Sequence, residues 1–124
     1  MSFKIDTKDN YVLISPENSE INVNMAEALR QIIDTHKTTD TNNFIIDLAN
    51  CSTFDVLSNT YWLDLHEYTY NELFGSLVFT NLTEEVNQKM KQERLHLSLN
   101  ITPTLIEAKD IVNMEILERE LLGE

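Results

Sequence analysis

The residues of this 124-residue chain with reactive side chains are three histidines, one cysteine and a scatter of acids. His36, His66 and His96 are far apart in sequence and share no metal-ligand spacing. His66-Glu67 is not followed by the second histidine that a helical zinc motif needs. Cys51 has Asn50, Ser52 and Asp55 around it, which supply neither a base nor the positive setting that activates a thiol. Asp47, Asp55 and Asp64 do not pair at an acid–base spacing. The glycines are Gly75 and Gly123, so neither a phosphate-cradling loop nor a dinucleotide fingerprint can form. The sequence therefore argues against an enzyme, and it implies no metal and no cofactor.

Bulk properties narrow the field further. The length fits one domain, residues 1–124, with enough chain for a full core. Nine basic residues stand against twenty-one acidic, a net charge of −12. Such a surface repels phosphate backbones and anionic lipid, so nucleic acid and membranes are not expected partners. A single cysteine allows no internal disulfide and suits a reducing, cytoplasmic setting. The first residues contain no apolar run of signal-peptide length, and no stretch reaches transmembrane length.

The elements that would position any site follow from periodicity. Phe3–Thr7 alternates as a half-buried edge strand, and 11–15 follows a short turn as its antiparallel partner. Residues 17–22 read as a polar loop with Ile21 turned inward. Asn24 and Glu27 are spaced as a capping box for a first helix with Ala28, Leu29, Ile32, Ile33 and His36 on one face. Phe44-Ile45-Ile46-Asp47-Leu48 is a short, β-branched apolar run and reads as the central strand. A polar bend leads to Asp55, placed to cap a second helix. Its predicted inner stripe is Leu57, Tyr61, Leu65 and Tyr68, widened by Trp62. Tyr61 is read as core. Gly75 breaks the chain before an apolar strand, 77–80. Thr83 caps a third helix, 96–99 alternates as a last strand, and Thr104 with Glu107 opens a final helix reaching about Leu122.

That final helix has two stripes. Leu105, Ala108, Val112 and Ile116 share one face, and Met114, Leu117 and Leu121 lie roughly opposite. One stripe covers the sheet. The other belongs to a C-terminal extension, 113–124, that either contacts a partner or second copy or folds back on its own domain.

The order of elements and several local words resemble the STAS domain, the fold of bacterial anti-sigma factor antagonists. Ile45-Ile46-Asp47-Leu48 resembles the strand that leads into the family's Asp-Ser-Ser-Gly motif, and Phe54-Asp55 its entry. Residues 77–86 resemble the family's next strand, asparagine turn and third helix. Thr104-Leu105-Ile106-Glu107-Ala108 resembles its closing word. The resemblance implies an α/β fold: a mixed sheet of about five strands with four helices packed mainly on one side. Where the family carries its phosphorylated serine this chain has Leu57, which has no hydroxyl. Ser58 falls on the family's glycine and could accept a phosphoryl group only if the loop shifted by one residue.

The expected function is therefore non-catalytic protein–protein binding in bacterial regulation, without the usual phosphorylation switch. By this reading Ser52, Asp55, Val56, Leu57, Ser58 and Asn59 meet an anti-sigma-factor-like or other regulatory protein. The alternatives are a structural or homodimer partner working through Met114, Leu117 and Leu121, and a small-ligand sensor with a pocket at the strand–helix junction.

Overall fold

The computed structural model describes residues 2–39 and 41–122. Two strands, β1 (Phe3–Thr7) and β2 (Val12–Pro16), form an antiparallel hairpin in which Ile5 faces Ile14. A two-residue strand, β3 (Glu20–Ile21), precedes helix α1 (Val23–His36). Then come β4 (Asn43–Asp47), a second two-residue strand β5 (Thr53–Phe54), a 3-10 turn at Val56–Ser58, and α2 (Asn59–Glu67). A π-helical turn, Tyr68–Glu72, leads to β6 (Ser76–Thr80) and α3 (Glu84–Gln92). The chain closes with β7 (Asn100–Thr102) and α4 (Leu105–Leu121).

The main sheet has five strands in the order β1-β2-β4-β6-β7. Only the opening hairpin is antiparallel; β2, β4, β6 and β7 run parallel. Every residue of β6 and all but Asp47 of β4 are buried, as expected for parallel strands covered on both faces. Alternation assigns the faces. Phe44, Ile46, Leu77 and Phe79 join the core built by Leu29 and Ile33 of α1, Trp62 and Leu65 of α2, and Val86 and Met90 of α3. Ile45 and Val78 point the other way, onto Ala108 and Val112 of α4. Three helices thus lie on one face and one on the other, the α/β arrangement expected from the element order.

Local chemistry explains most boundaries. The Thr83 hydroxyl accepts the Val86 N–H at 3.4 Å, and Glu84 and Glu85 occupy the first turn of α3, where the helix dipole favours acids. The Thr104 hydroxyl accepts the Glu107 N–H at 3.3 Å and donates to the Glu107 carboxylate at 2.9 Å. Gly75 packs so closely on the loop before β4 that a Cβ there would lie 1.7 Å from the Asn42 carbonyl oxygen.

Two boundaries depart from expectation. Asn22, rather than Asn24, caps α1, its side-chain oxygen accepting the Met25 N–H at 3.0 Å. β3 ends one residue before Asn22, so the extended conformation that a cap needs is already in place there. The predicted strand 96–99 is instead part of a 3-10 turn, and the sheet gains Asn100–Thr102. Leu95, Leu97 and Leu99 alternate like a strand, yet Leu95 and Leu99 are also four apart, one helical turn. The Leu99 N–H donates to the Leu95 carbonyl at 2.8 Å, both side chains are buried, and Leu97 is 70% exposed. Arg94, at φ 62°, reverses the chain out of α3 and makes that turn.

Candidate protein-interaction surface

The carboxyl ends of β4 and β6 and the start of α2 form one end of the molecule, built from short polar ties. Asp47 anchors it. One carboxylate oxygen accepts the Ala49 N–H at 3.0 Å, and the other accepts the Asn81 side-chain amide at 3.2 Å. Asn81 sits at φ 59°, a left-handed conformation that asparagine tolerates better than most residues. Asp47 therefore has a structural role, holding two loops together.

The bend at 49–53 is tied down from a second direction. β3 and β5 pair in parallel, with Glu20 against Thr53 and Ile21 against Phe54. The Ser19 carbonyl accepts from the Ser52 N–H at 2.7 Å and the Thr53 N–H at 3.1 Å, and the Ile21 carbonyl accepts from Asp55 N–H at 2.9 Å. The loop before α1 and the loop before α2 are thus one unit. Ser52 remains exposed on it.

Cys51 lies inside this unit, fully buried. Its carbonyl accepts the Thr83 hydroxyl at 3.1 Å. Burial pushes the thiol up to about 11, and the Asp47 carboxylate adds to the rise. A thiol held neutral in this way is a packing group and not a nucleophile.

Asp55 accepts the Leu57 N–H at 3.0 Å and so caps the 3-10 turn that opens α2. The turn points its side chains in opposite directions. The Ser58 hydroxyl is buried, donates to the Asp55 carbonyl at 2.7 Å and accepts the Trp62 indole N–H at 2.9 Å. Trp62 in turn meets Phe79 edge to face, with centroids 5.8 Å apart. On the outer side Val56 is exposed, and Leu57 is 76% exposed. Asn59 is half-buried and donates to the Glu93 carboxylate at 2.7 Å, which ties α2 to the end of α3.

The buried residues of α2 and the turns flanking it are Ser58, Trp62, Leu65, Tyr68 and Thr69. Of the stripe read from the sequence, Trp62, Leu65 and Tyr68 are buried as expected, and the departures are at its start. Tyr61, read as core, is exposed, as is Leu57. The physical reason is the Ser58–Trp62 hydrogen bond at i, i+4: the largest side chain of the helix buries, and its N–H needs an acceptor one turn back. A small hydroxyl residue four before a tryptophan was the available signal. The outcome is an outward apolar strip, Val56, Leu57 and Tyr61, on the first turns of α2. Ser52 shares the exposed rim, Asp55 and Asn59 brace it from beneath, and Ser58 is turned away from solvent.

The other residues singled out lie elsewhere. Met114, Leu117 and Leu121 are exposed on α4, and Leu105 and Ile116 are half-buried around Ala108 and Val112. Residues 113–121 continue α4 without a break, while Gly123 and Glu124 fall outside the described residues. His36 ends α1, His66 sits in α2 beside Tyr70, and His96 is exposed after α3. Among the described residues no three acids, histidines or cysteines cluster as a metal site would require. Among them, too, no helix is long and apolar enough to cross a membrane.

Comparison with solved structures identifies the architecture. A proposed anti-sigma factor antagonist from Thermotoga maritima superposes with a TM-score of 0.73 at 17% identity, over 90% of this chain and 94% of that one. An anti-sigma factor antagonist from Mycobacterium paratuberculosis gives 0.69 at 19% identity, over 90% and 93%. The antagonist SpoIIAA in its unphosphorylated form gives 0.66 at 18% identity, over 90% and 96%. The chain has the STAS fold. No family model and no curated protein sequence matches it. At these identities the likeness concerns the fold and not the activity.

Proposed function

We propose that this STAS-fold chain is a cytoplasmic, non-catalytic protein-binding module of bacterial regulation, an antagonist-like protein whose contact tip is constitutive. The observation that carries this reading is Leu57: 76% exposed on the first turn leading into α2, at the position where the resembled family places its switchable serine. A phosphoserine there adds nearly two negative charges at a helix start. Leucine offers apolar contact instead and cannot be switched off. Ser58 is no substitute acceptor, because its hydroxyl is buried and engaged in both directions. The partner is a regulatory protein of the anti-sigma-factor class, meeting Val56, Leu57 and Tyr61 at the centre and Ser52 at the rim. Exposed aromatic and apolar residues ringed by polar ones are the usual composition of such contacts.

The test is capture of a partner from native lysate by purified wild-type protein and by Leu57→Asp. The substitution leaves the core intact, since the side chain is outside it. A partner held by the wild type and lost with Leu57→Asp supports the reading. A partner indifferent to the change overturns it. A second reading, association of two copies through Met114, Leu117 and Leu121, is favoured by the exposed apolar face they share on α4. It predicts a dimer by sedimentation that Leu117→Lys dissolves.

A further inference from the structure

An open groove of about 740 Å³ lies at the other end of the sheet, where β4 and β6 begin. Asn43, Phe74, Ile116 and Arg119 are among its lining. We propose that this groove binds a small organic carboxylate with a flat apolar body.

Arg119 carries the charge argument. The chain is strongly acidic, yet among the described residues no carboxylate lies within ion-pair distance of this guanidinium. Neutral acceptors hold it in place. Nη1 donates to the Gly75 carbonyl at 3.2 Å and to the Ser76 hydroxyl at 3.2 Å, and Nη2 donates to the Asn43 side-chain oxygen at 2.8 Å. A guanidinium has five N–H donors in a rigid plane. These bonds orient the plane and leave Nε–H and one Nη2–H for a ligand. A carboxylate is the group that such a fixed pair recognises.

Phe74 supplies the second observation. It sits at φ 53°, in the left-handed position that follows a helix end, where glycine is the usual residue. The residue is 73% exposed, so the core does not require it. An aromatic side chain held exposed in an unfavourable backbone conformation beside an unpaired cation is explained by a ligand that stacks on it. A single cation, with Glu120 also on the lining, suits a monoanion better than a doubly charged phosphate. The inference is independent of the α2 contact tip, which lies at the far end of the strands.

The test is a titration of the full-length protein followed by backbone amide resonances, with benzoate as probe and acetate and inorganic phosphate as comparisons. Benzoate is expected to give saturable shifts at Asn43, Phe74 and Arg119, with acetate at least about tenfold weaker and phosphate weaker still. Phe74→Gly should weaken benzoate about tenfold or more while raising Tm. Arg119→Lys, which keeps the charge and loses the planar fork, should weaken it similarly. Shifts that rise without saturation, equal affinity for phosphate, or unchanged benzoate affinity in Phe74→Gly would overturn the proposal.

Discussion

Replacing Ser58 by alanine tests the packing logic on which the contact tip depends. The Ser58 hydroxyl is buried between the Asp55 carbonyl, 2.7 Å away, and the Trp62 indole N–H, 2.9 Å away. Alanine removes both bonds. The Asp55 carbonyl still receives the Ser58 backbone N–H at 3.0 Å, so it stays satisfied. The Trp62 N–H has no other acceptor and becomes a buried orphan donor. Such a group costs about 1–3 kcal/mol, and about 2 kcal/mol is expected here because the site is wholly buried. For a urea m-value in the usual range this lowers the midpoint by about 1 M with m unchanged. Trp62 is the only tryptophan, so its emission reports on the site itself. The decisive arm is a double-mutant cycle with Trp62→Phe, followed by far-UV circular dichroism. Phenylalanine has no N–H to strand, so Ser58→Ala in that background should cost about 1 kcal/mol less. A cost below about 0.5 kcal/mol in the wild type, or the same cost in both backgrounds, would refute the idea that this bond sets the rotation of α2.

Three further outcomes follow from the structure. Gly75→Ala drives a Cβ to 1.7 Å from the Asn42 carbonyl oxygen and should cost about 3 kcal/mol by urea melting or prevent folding. Cys51 gives a pH signature. Its thiol is held up at about 11 against 9.0 for an ordinary thiol, so between those values the folded chain binds the proton that the unfolded chain has lost. Stability therefore falls as pH rises from 9 to 11, and Cys51→Ala should flatten that part of the profile. A thiol reagent at pH 8 should label native protein far more slowly than urea-unfolded protein.

The order of elements was legible because most of the periodicities are strong. The β-branched apolar run 44–48 reads as a buried strand, and threonine caps followed by acids in the first turn mark the starts of α3 and α4 within a residue. The opposed stripes of α4 were readable for the same reason: a 3.6 period leaves little freedom over four turns. The net charge and the missing glycine loops were enough to argue against nucleic acid and nucleotide chemistry. Leu57 could be singled out in sequence, because the absence of a hydroxyl at one position is a matter of residue type.

What depended on tertiary structure was rotation and pairing. The first turns of α2 carry apolar residues at 56, 57, 61 and 62, and a helix can bury either neighbouring stripe. Trp62 settled the choice by finding an acceptor in Ser58, which turned Leu57 and Tyr61 outward and Ser58 in. Leu95, Leu97 and Leu99 fit a strand and a turn equally well by spacing, and Arg94's left-handed conformation decided for the turn. The two-residue strands β3 and β5 were invisible because each is too short to show a period and exists only as the other's partner. The groove at Arg119 joins residues from four separate segments of the chain, from Asn10 to Glu120. Sequence records each of those residues, but their adjacency is a product of the sheet bringing the starts of its strands together under the end of α4.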